Sequence, residues 1–590
     1  MKRLILSCAV SMFAIISHAA NITIDLAHYG LSSDTTINAS IAFSRAMKAV
    51  QKAAIKGNQI TVKVPRGRYH FYPDGATVRE YYVSNHDQLN PRAVGICMER
   101  LRNVTFDGGG SDFIFHGRML PLSLVGAENC TLRGFRVDHA NPHIAQATIV
   151  SNDTVSHEIV YQLSPEVNYT LSHDTLYTNG QGWKYLLNSA IAFDPKTHHM
   201  VYRTSDIGIR VTGVSALPDR KFLARGWNDA RLKPGTVLAM RSWTRPAPAI
   251  FLYECKNTKL EDITIYYMEG MGVLAQLCHN VSLDGFNVSL RPGTHRYFTT
   301  QADASHFVNC SGEIVSRHGL YESMMDDAIN IHGVYLKMTK RLDDHTIRAR
   351  FMHDQAYGYK WGYVGDTVQF IASRTMEHIP GTNVIKKIKA IDKPIDKGVK
   401  EYEITFVQPL AADIDERNSI GVEDLTLTPT VQFDHNVVRN NRARGCLFST
   451  PRRVVCEDNF FDHTSGTAIL LCGDCNGWYE SGACRDVTIR HNVFVNALTN
   501  MFQFTEGVIS IDPEIPEFSK QKRYFHSGIK ILDNVFETFD APLLYAKSVD
   551  GITMRGNRVL HNNAYPAFHH NRKAVTLENV ARYQSDIDEK

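Results

Sequence analysis

One short motif, repeated at a fixed interval, limits what this chain can fold into. NVTFDGGG (103–110), NCTLRGFRVDHA (129–140), NTKLEDITIYY (257–267) and NVSLDGFNVSL (280–290) share one pattern. VQFDHNVVRNN (431–441), VVCEDNFFDH (454–463), VTIRHNVFVN (487–496), IKILDNVFET (529–538) and ITMRGNRVLHN (552–562) share it too. Each has a short alternating apolar run, a polar or glycine corner, and a second short run, the signature of half-buried strands joined by a bend. Asn257 and Asn280 stand at i and i+23, as do Asn436 and Asn459, and Asn534 and Asn557. The wider step from Asn459 to Asn492, i to i+33, reads as the same unit with an inserted loop. A period in this range means a solenoid whose units cannot bury their apolar faces alone. Short β-runs without helices between them point to an all-β, right-handed parallel β-helix of the pectin-lyase-like type. The recurring Asn residues form a ladder at its turns. Asn103, Asn129, Asn280 and Asn309 also open N-x-[S/T] strings, but their coincidence with the repeat favours a turn role over glycosylation.

The rest of the chain is organised around the solenoid. Residues 1–20, MKRLILSCAVSMFAIISHAA, have a basic start, an apolar centre and a small-residue end, so a cleavable signal peptide and an exported protein, periplasmic or secreted, are expected. N-terminal coils follow at 21–141. They begin with a helix over 38–55 that turns Ile41, Phe43, Met47, Val50 and Ala54 to one face and caps the open end of the solenoid. Asn38 is its expected N-cap and Gly57 its stop. Two stretches break the repeat, 142–250 and 334–428. PGTVLAMRSWT (234–244) in one resembles VGDTVQFIASRT (364–375) in the other, so both are read as related β-barrel insertions overhanging a binding groove. Central coils at 251–333 and C-terminal coils at 429–575 complete the spiral, with 576–590 as a tail.

Charge and cysteines exclude several functions. Lys+Arg minus Asp+Glu is 64 − 61 = +3, and two of those charges, Lys2 and Arg3, lie in the expected signal peptide. Nothing here supports broad attraction to nucleic acid or an anionic membrane, and no later segment approaches a membrane span. Cys472, Cys475 and Cys484 share a glycine-rich loop, LCGDCNGWYESGAC. Only one further Cys follows the C-x-x-C, so a local disulfide or free buried thiols are favoured over zinc.

Catalytic chemistry concentrates between the insertions, in TTQADASHFVNCSGEIVSRHGLYESMMDDAINIHGVY (299–335). Asp326–Asp327 interrupts an apolar strand, and Asp303 precedes Asp326 by the same i to i+23 step, one coil. Adjacent coils should stack Asp303 beside the pair, and His306 on Ile329 close to Asn330. Three carboxyls sharing one cleft cannot all stay ionised. One then carries a proton for a leaving oxygen while another activates water, as a glycosidase requires. A calcium-dependent lyase would need a strong base beside the metal, and Arg317 is the only nearby candidate. No nucleophile elbow, P-loop or HExxH string is present.

QADASHF followed by ESMMDDAINIHG, in an exported β-helix with two barrel insertions, resembles the α-1,3-galactosidases of glycoside hydrolase family 110. The likeness runs from about residue 22 to 575. The spaced Asp residues are also similar to those of polygalacturonases. The family resemblance implies an inverting exo-hydrolase of terminal α-1,3-linked galactose, on blood group B determinants and linear α-1,3-galactosyl chains. It places the catalytic carboxylates on Asp303, Asp326 and Asp327, with either Asp326 or Asp327 as the acid and Asp303 among the groups that hold the water, and implies no metal and no cofactor. His306, Asn330 and His332 are candidate contacts to galactose hydroxyls. Two rivals are a polygalacturonase-like hydrolase, which needs a row of basic residues (only Arg291, Arg296 and Arg317 lie in 291–335), and a non-catalytic carbohydrate-binding β-helix.

Overall fold

The computed structural model describes residues 20–54, 57–356, 358–392 and 398–587; the expected signal peptide lies outside the described residues apart from Ala20. The chain winds into a parallel β-helix whose rungs stack residue on residue. Leu122, Ile250, Val273, Ser305, Ile329, Cys446, Ile469, Ile509, Leu544 and Val575 form one column. On another wall Phe461, Phe494 and Phe536 stack with ring centroids 5.0 and 5.1 Å apart. Side chains alternate between the faces of each strand, so one short apolar run per wall fills the interior.

Two asparagine ladders fix the corners. Asn129, Asn257 and Asn280 each donate Nδ2–H to the Oδ1 of the rung before, at 3.2, 2.9 and 2.9 Å, beginning from Asn103. All four backbones are left-handed, φ 53–57°, a conformation Asn tolerates better than most residues. This is the turn role expected of Asn103, Asn129 and Asn280. The second ladder runs through Asn436, Asn459, Asn492, Asn534 and Asn557. Asn492 is fully buried, its Oδ1 accepting from the Asn459 backbone N–H at 3.0 Å and its Nδ2 donating to the Cys456 carbonyl at 2.9 Å. Replacing Asn492 by Ala orphans groups on both neighbouring rungs. It should cost about 1–3 kcal/mol, seen as a lower urea midpoint; an unchanged midpoint would remove the ladder from the fold's energetics.

The ends and interruptions differ in detail from expectation. The helix Ala39–Ala54 seals the first coil, with Phe43 against Phe71, Phe106 and Phe113. Asn38 Oδ1 accepts from Ser40 N–H at 3.0 Å. Ile41 lies off the buried arc and is 40% exposed. Of the expected tail, 576–590, the residues up to Ser585 are strand. Val575–Ser585 pairs in parallel with Leu544–Arg555 as a last rung, and its polar outward residues hid it, because a terminal strand keeps one face in solvent. The first insertion is a seven-stranded sheet around its own core, with a three-stranded sheet beside it. In the second, the strand Thr367–Ala372 pairs with both Asn383–Ala390 and Ile420–Asp424, which closes a barrel. The string shared by the insertions is one turn. Gly235 and Gly365 are left-handed (φ 91° and 96°), and the next N–H, of Thr236 or Asp366, returns to the carbonyl of Lys233 or Tyr363. All ten cysteines among the described residues are buried and free, Cys472, Cys475 and Cys484 included.

Candidate active site

Asp303 and Asp327 stand at matching corners, just before the paired strands Ser305–Val308 and Ile329–Val334. The coil here is longer by one position than the repeat elsewhere: His306 pairs with Asn330, and Ala304 N–H donates to the Asp327 carbonyl at 2.8 Å. Asp303 therefore stacks on Asp327, and Asp326 stands alongside. One carboxyl oxygen from each of the three lies within 4.8 Å of the others, and all three residues are buried.

Four arginines make that crowding tolerable. Arg444 forks onto Asp327 through Nε and Nη2, at 2.9 and 3.2 Å, and reaches Asp326 Oδ1 at 3.2 Å. Arg245 donates to Asp326 Oδ2 at 3.2 Å. Arg442 lies 3.6 Å from Asp326 and is itself forked by Asp206, which Arg241 also approaches at 3.5 Å. Burial alone would raise the Asp326 carboxyl, but Arg444, Arg442, Arg245 and Arg241 together outweigh it and hold it below its usual value. Burial and then the Asp326 charge lift Asp303 to about 8. Burial also pushes Asp327 well up, with Arg444 opposing and the other two carboxyls adding to the rise. The three groups are thus driven apart in proton affinity.

A histidine pair fixes where one proton sits. His332 Nδ1 lies 2.7 Å from the Gly333 carbonyl, which only accepts, so Nδ1 carries the hydrogen. In the neutral ring Nε2 is then an acceptor, and it receives His306 Nε2–H at 2.9 Å. His306 Nδ1 is left as an acceptor 2.7 Å from Asp303 Oδ2, so Asp303 donates. Burial keeps both rings neutral, His306 down to about 4. Tautomer bookkeeping and burial agree that Asp303 carries a proton.

These groups line a cavity of about 440 Å³. Asp303, Asp326, Asp327, His306 and Asn330 face it, and Asn330 Oδ1 has no partner among the described residues, leaving it free for a ligand hydroxyl. His332 does not line the cavity. It sits behind His306 and 3.4 Å from Glu480, so it orients the ring that touches Asp303 and is not a sugar contact. Arg317, His318 and Glu322 lie elsewhere, paired with Asp434, Asp284 and Arg439. Arg317 is thus unavailable as a lyase base. The three carboxyls are close enough to hold a cation, yet Arg444, Arg442 and Arg245 already compete for their oxygens.

The walls come from segments that local sequence did not mark. Trp243 and Arg245 leave the first insertion, His353 and Gln355 belong to the second, and Trp478 and Glu480 sit on the cysteine loop. Asn85, Phe502 and Phe504 complete the rim. The count of basic residues in 291–335 therefore missed the arginines that matter, though each is matched to Asp206, Asp326 or Asp327 rather than set out as a row for a uronate. Arg444 was legible in principle. It lies 117 residues after Asp327, and taking out the insertion at 334–428 brings the two to roughly one coil apart.

Comparison with known proteins gives two family models, GLAA-B beta-barrel domain I over residues 145–238 and GLAA-B beta-barrel domain II over residues 346–420. The chain is 52% identical over 584 residues to Alpha-1,3-galactosidase B of Phocaeicola vulgatus, covering 98% of this chain and 96% of that one. It is 52% identical over 557 residues to Alpha-1,3-galactosidase B of Parabacteroides distasonis, covering 94% and 91%. To Alpha-1,3-galactosidase A of Bacteroides fragilis it is 31% identical over 513 residues, covering 86% and 82%.

Proposed function

The chain belongs to the α-1,3-galactosidase family, and from that premise we propose that it removes terminal α-1,3-linked galactose from glycans by exo-acting hydrolysis. The observation that carries this reading is the Asp303–Asp326–Asp327 cluster, three buried carboxyls of unequal proton affinity facing one cavity. Asp326, ionised among four guanidiniums, takes the proton of the attacking water. Asp303, protonated against His306, gives its proton to the departing glycosidic oxygen. That differs from the expectation from sequence, which left the acid open between Asp326 and Asp327 and set Asp303 with the water. Asp327, clamped by Arg444, holds the water jointly with Asp326. Asn330, whose Oδ1 has no partner among the described residues, meets a galactose hydroxyl, whereas both His306 ring nitrogens are taken by Asp303 and His332. Blood group B determinants and linear α-1,3-galactosyl chains are the proposed substrates. Export, to the periplasm or beyond the cell, follows from the signal-like N-terminal segment.

The proposed course is inversion. The carboxyl oxygens approach within 4.8 Å, closer than the ~6.5–9.5 Å usual between acid and base across a sugar ring, so the released anomer is the decisive measurement. Proton NMR of Gal-α-1,3-Gal hydrolysis should show β-galactose first. First appearance of α-galactose would mean that a carboxylate attacks the anomeric carbon, and no release at all would remove the function.

A further inference from the structure

The cavity is longer than a single galactose needs, and its floor changes character along its length. His306, Asn330, Leu447 and Leu470 stack in register on four successive coils, and all four face the cavity. Three steps at the strand spacing make this floor about 14 Å long. The first half is polar and lies beside the carboxyls. The second half is apolar, with Leu447, Leu470 and Cys472 packed against Phe504.

Two aromatic side chains line the same cavity, Phe504 against that apolar half and Trp478 from the cysteine loop. Phe504 has φ 63°, a left-handed backbone that a bulky residue adopts only under constraint. Trp478 stays 38% exposed although it lines the cavity. One face of its indole is covered by His353 of the second insertion, with ring centroids 3.8 Å apart and planes 25° apart. Its loop is tied by a single carboxylate: Asp474 accepts the backbone N–H groups of Asn476, Gly477, Trp478 and Tyr479. This is the cysteine-bearing loop, whose Cys472, Cys475 and Cys484 are buried free thiols. Aromatic faces backed on one side and open on the other are what the apolar face of a pyranose packs against.

We propose that Leu447, Leu470, Trp478 and Phe504 form the subsite for the sugar to which the galactose is attached, and that this acceptor is uncharged. Asp474 and Glu514 wall the far end of the cavity, so a sulfated or uronic acceptor meets like charge there. The assignment rests on the galactosidase reading and sharpens it, since it places departing-group recognition on the coils after the catalytic ones, at Leu447, Leu470 and Phe504, and on the cysteine loop at Trp478.

The test compares Gal-α-1,3-Gal with α-galactosyl fluoride, which carries no acceptor sugar. Trp478→Ala should lower kcat/KM for the disaccharide about tenfold more than for the fluoride, and Phe504→Ala should do the same. Equal losses on both substrates would put these rings at the galactose itself. Equal retention would mean that they bind nothing. Either result overturns the assignment. A disaccharide with a sulfated acceptor should be cleaved at least tenfold more slowly than the neutral one, and cleavage at the same rate would refute the uncharged class. A wild-type enzyme inactive on fluoride and disaccharide alike fails the galactosidase reading instead, so the two failures are distinguishable.

Discussion

Asp326→Asn should lower kcat on Gal-α-1,3-Gal by about 10²–10⁴-fold, the range of a lost general base, with the fold intact by circular dichroism. The loss should be as large on p-nitrophenyl α-galactoside, because the attacking water needs its base whatever group departs. Asp303→Asn should behave differently. A nitrophenolate leaves without a proton, so this variant should keep much more activity on the aryl galactoside than on the disaccharide. The wild-type rate should fall as pH rises through about 8, where Asp303 loses its proton, and the Asn variant should lose that limb. Stability falls with rising pH as well, over a lower range. A carboxyl held protonated in the fold and ionised when unfolded binds more protons folded, so its contribution weakens as pH rises from about 4 to about 8. Asp303→Asn should thus be more stable than wild type near pH 8. Indistinguishable leaving-group dependence in the two variants would sink the division of roles, and full activity in both would sink the site.

The second large effect belongs to Arg444. Arg444→Met leaves Asp327 buried without its fork and Asp326 without one of its guanidiniums. Removing one partner of a buried pair costs about 3–5 kcal/mol, here read as a drop in denaturation midpoint near pH 7. The sign of the pH dependence follows from the same groups. Above pH 4 the unfolded carboxyls are ionised while the folded ones must be protonated or strand a charge. The deficit should therefore shrink as pH falls towards 4, where both states hold the proton. Arg444→Lys keeps the charge but loses the planar fork, and should fall between. A deficit independent of pH would show that packing, not charge, is what Arg444 supplies.

The fold was legible because a β-helix writes its period into the chain. Asn recurrence, alternating runs and the capping helix carry most of the architecture. The register at the site was not legible to one residue. The repeat interval set Asp303 on Asp326, whereas the local coil is one position longer and sets it on Asp327; no local propensity marks a single added residue at a corner. The carboxyls stood out as charges interrupting an apolar strand. Their arginines did not, because Arg245 lies at the exit of one insertion and Arg444 beyond the other, and each looks like an ordinary surface charge until the coils are stacked. His332 shows the converse: strand alternation sets it on the same face as Asn330, which suggested contact with sugar, but its ring is spent on the Gly333 carbonyl and His306 and lies against Glu480, outside the cavity lining.

A spiral gathers its working parts late. The cavity draws on Asn85 near one end and Glu514 near the other, so a ribosome emits most of the polypeptide before any pocket exists. Truncation after the Asp326–Asp327 pair would leave the acids without Arg444, Trp478 or Glu480. Catalysis in this chain is a property of the finished stack and has no working precursor in its first half.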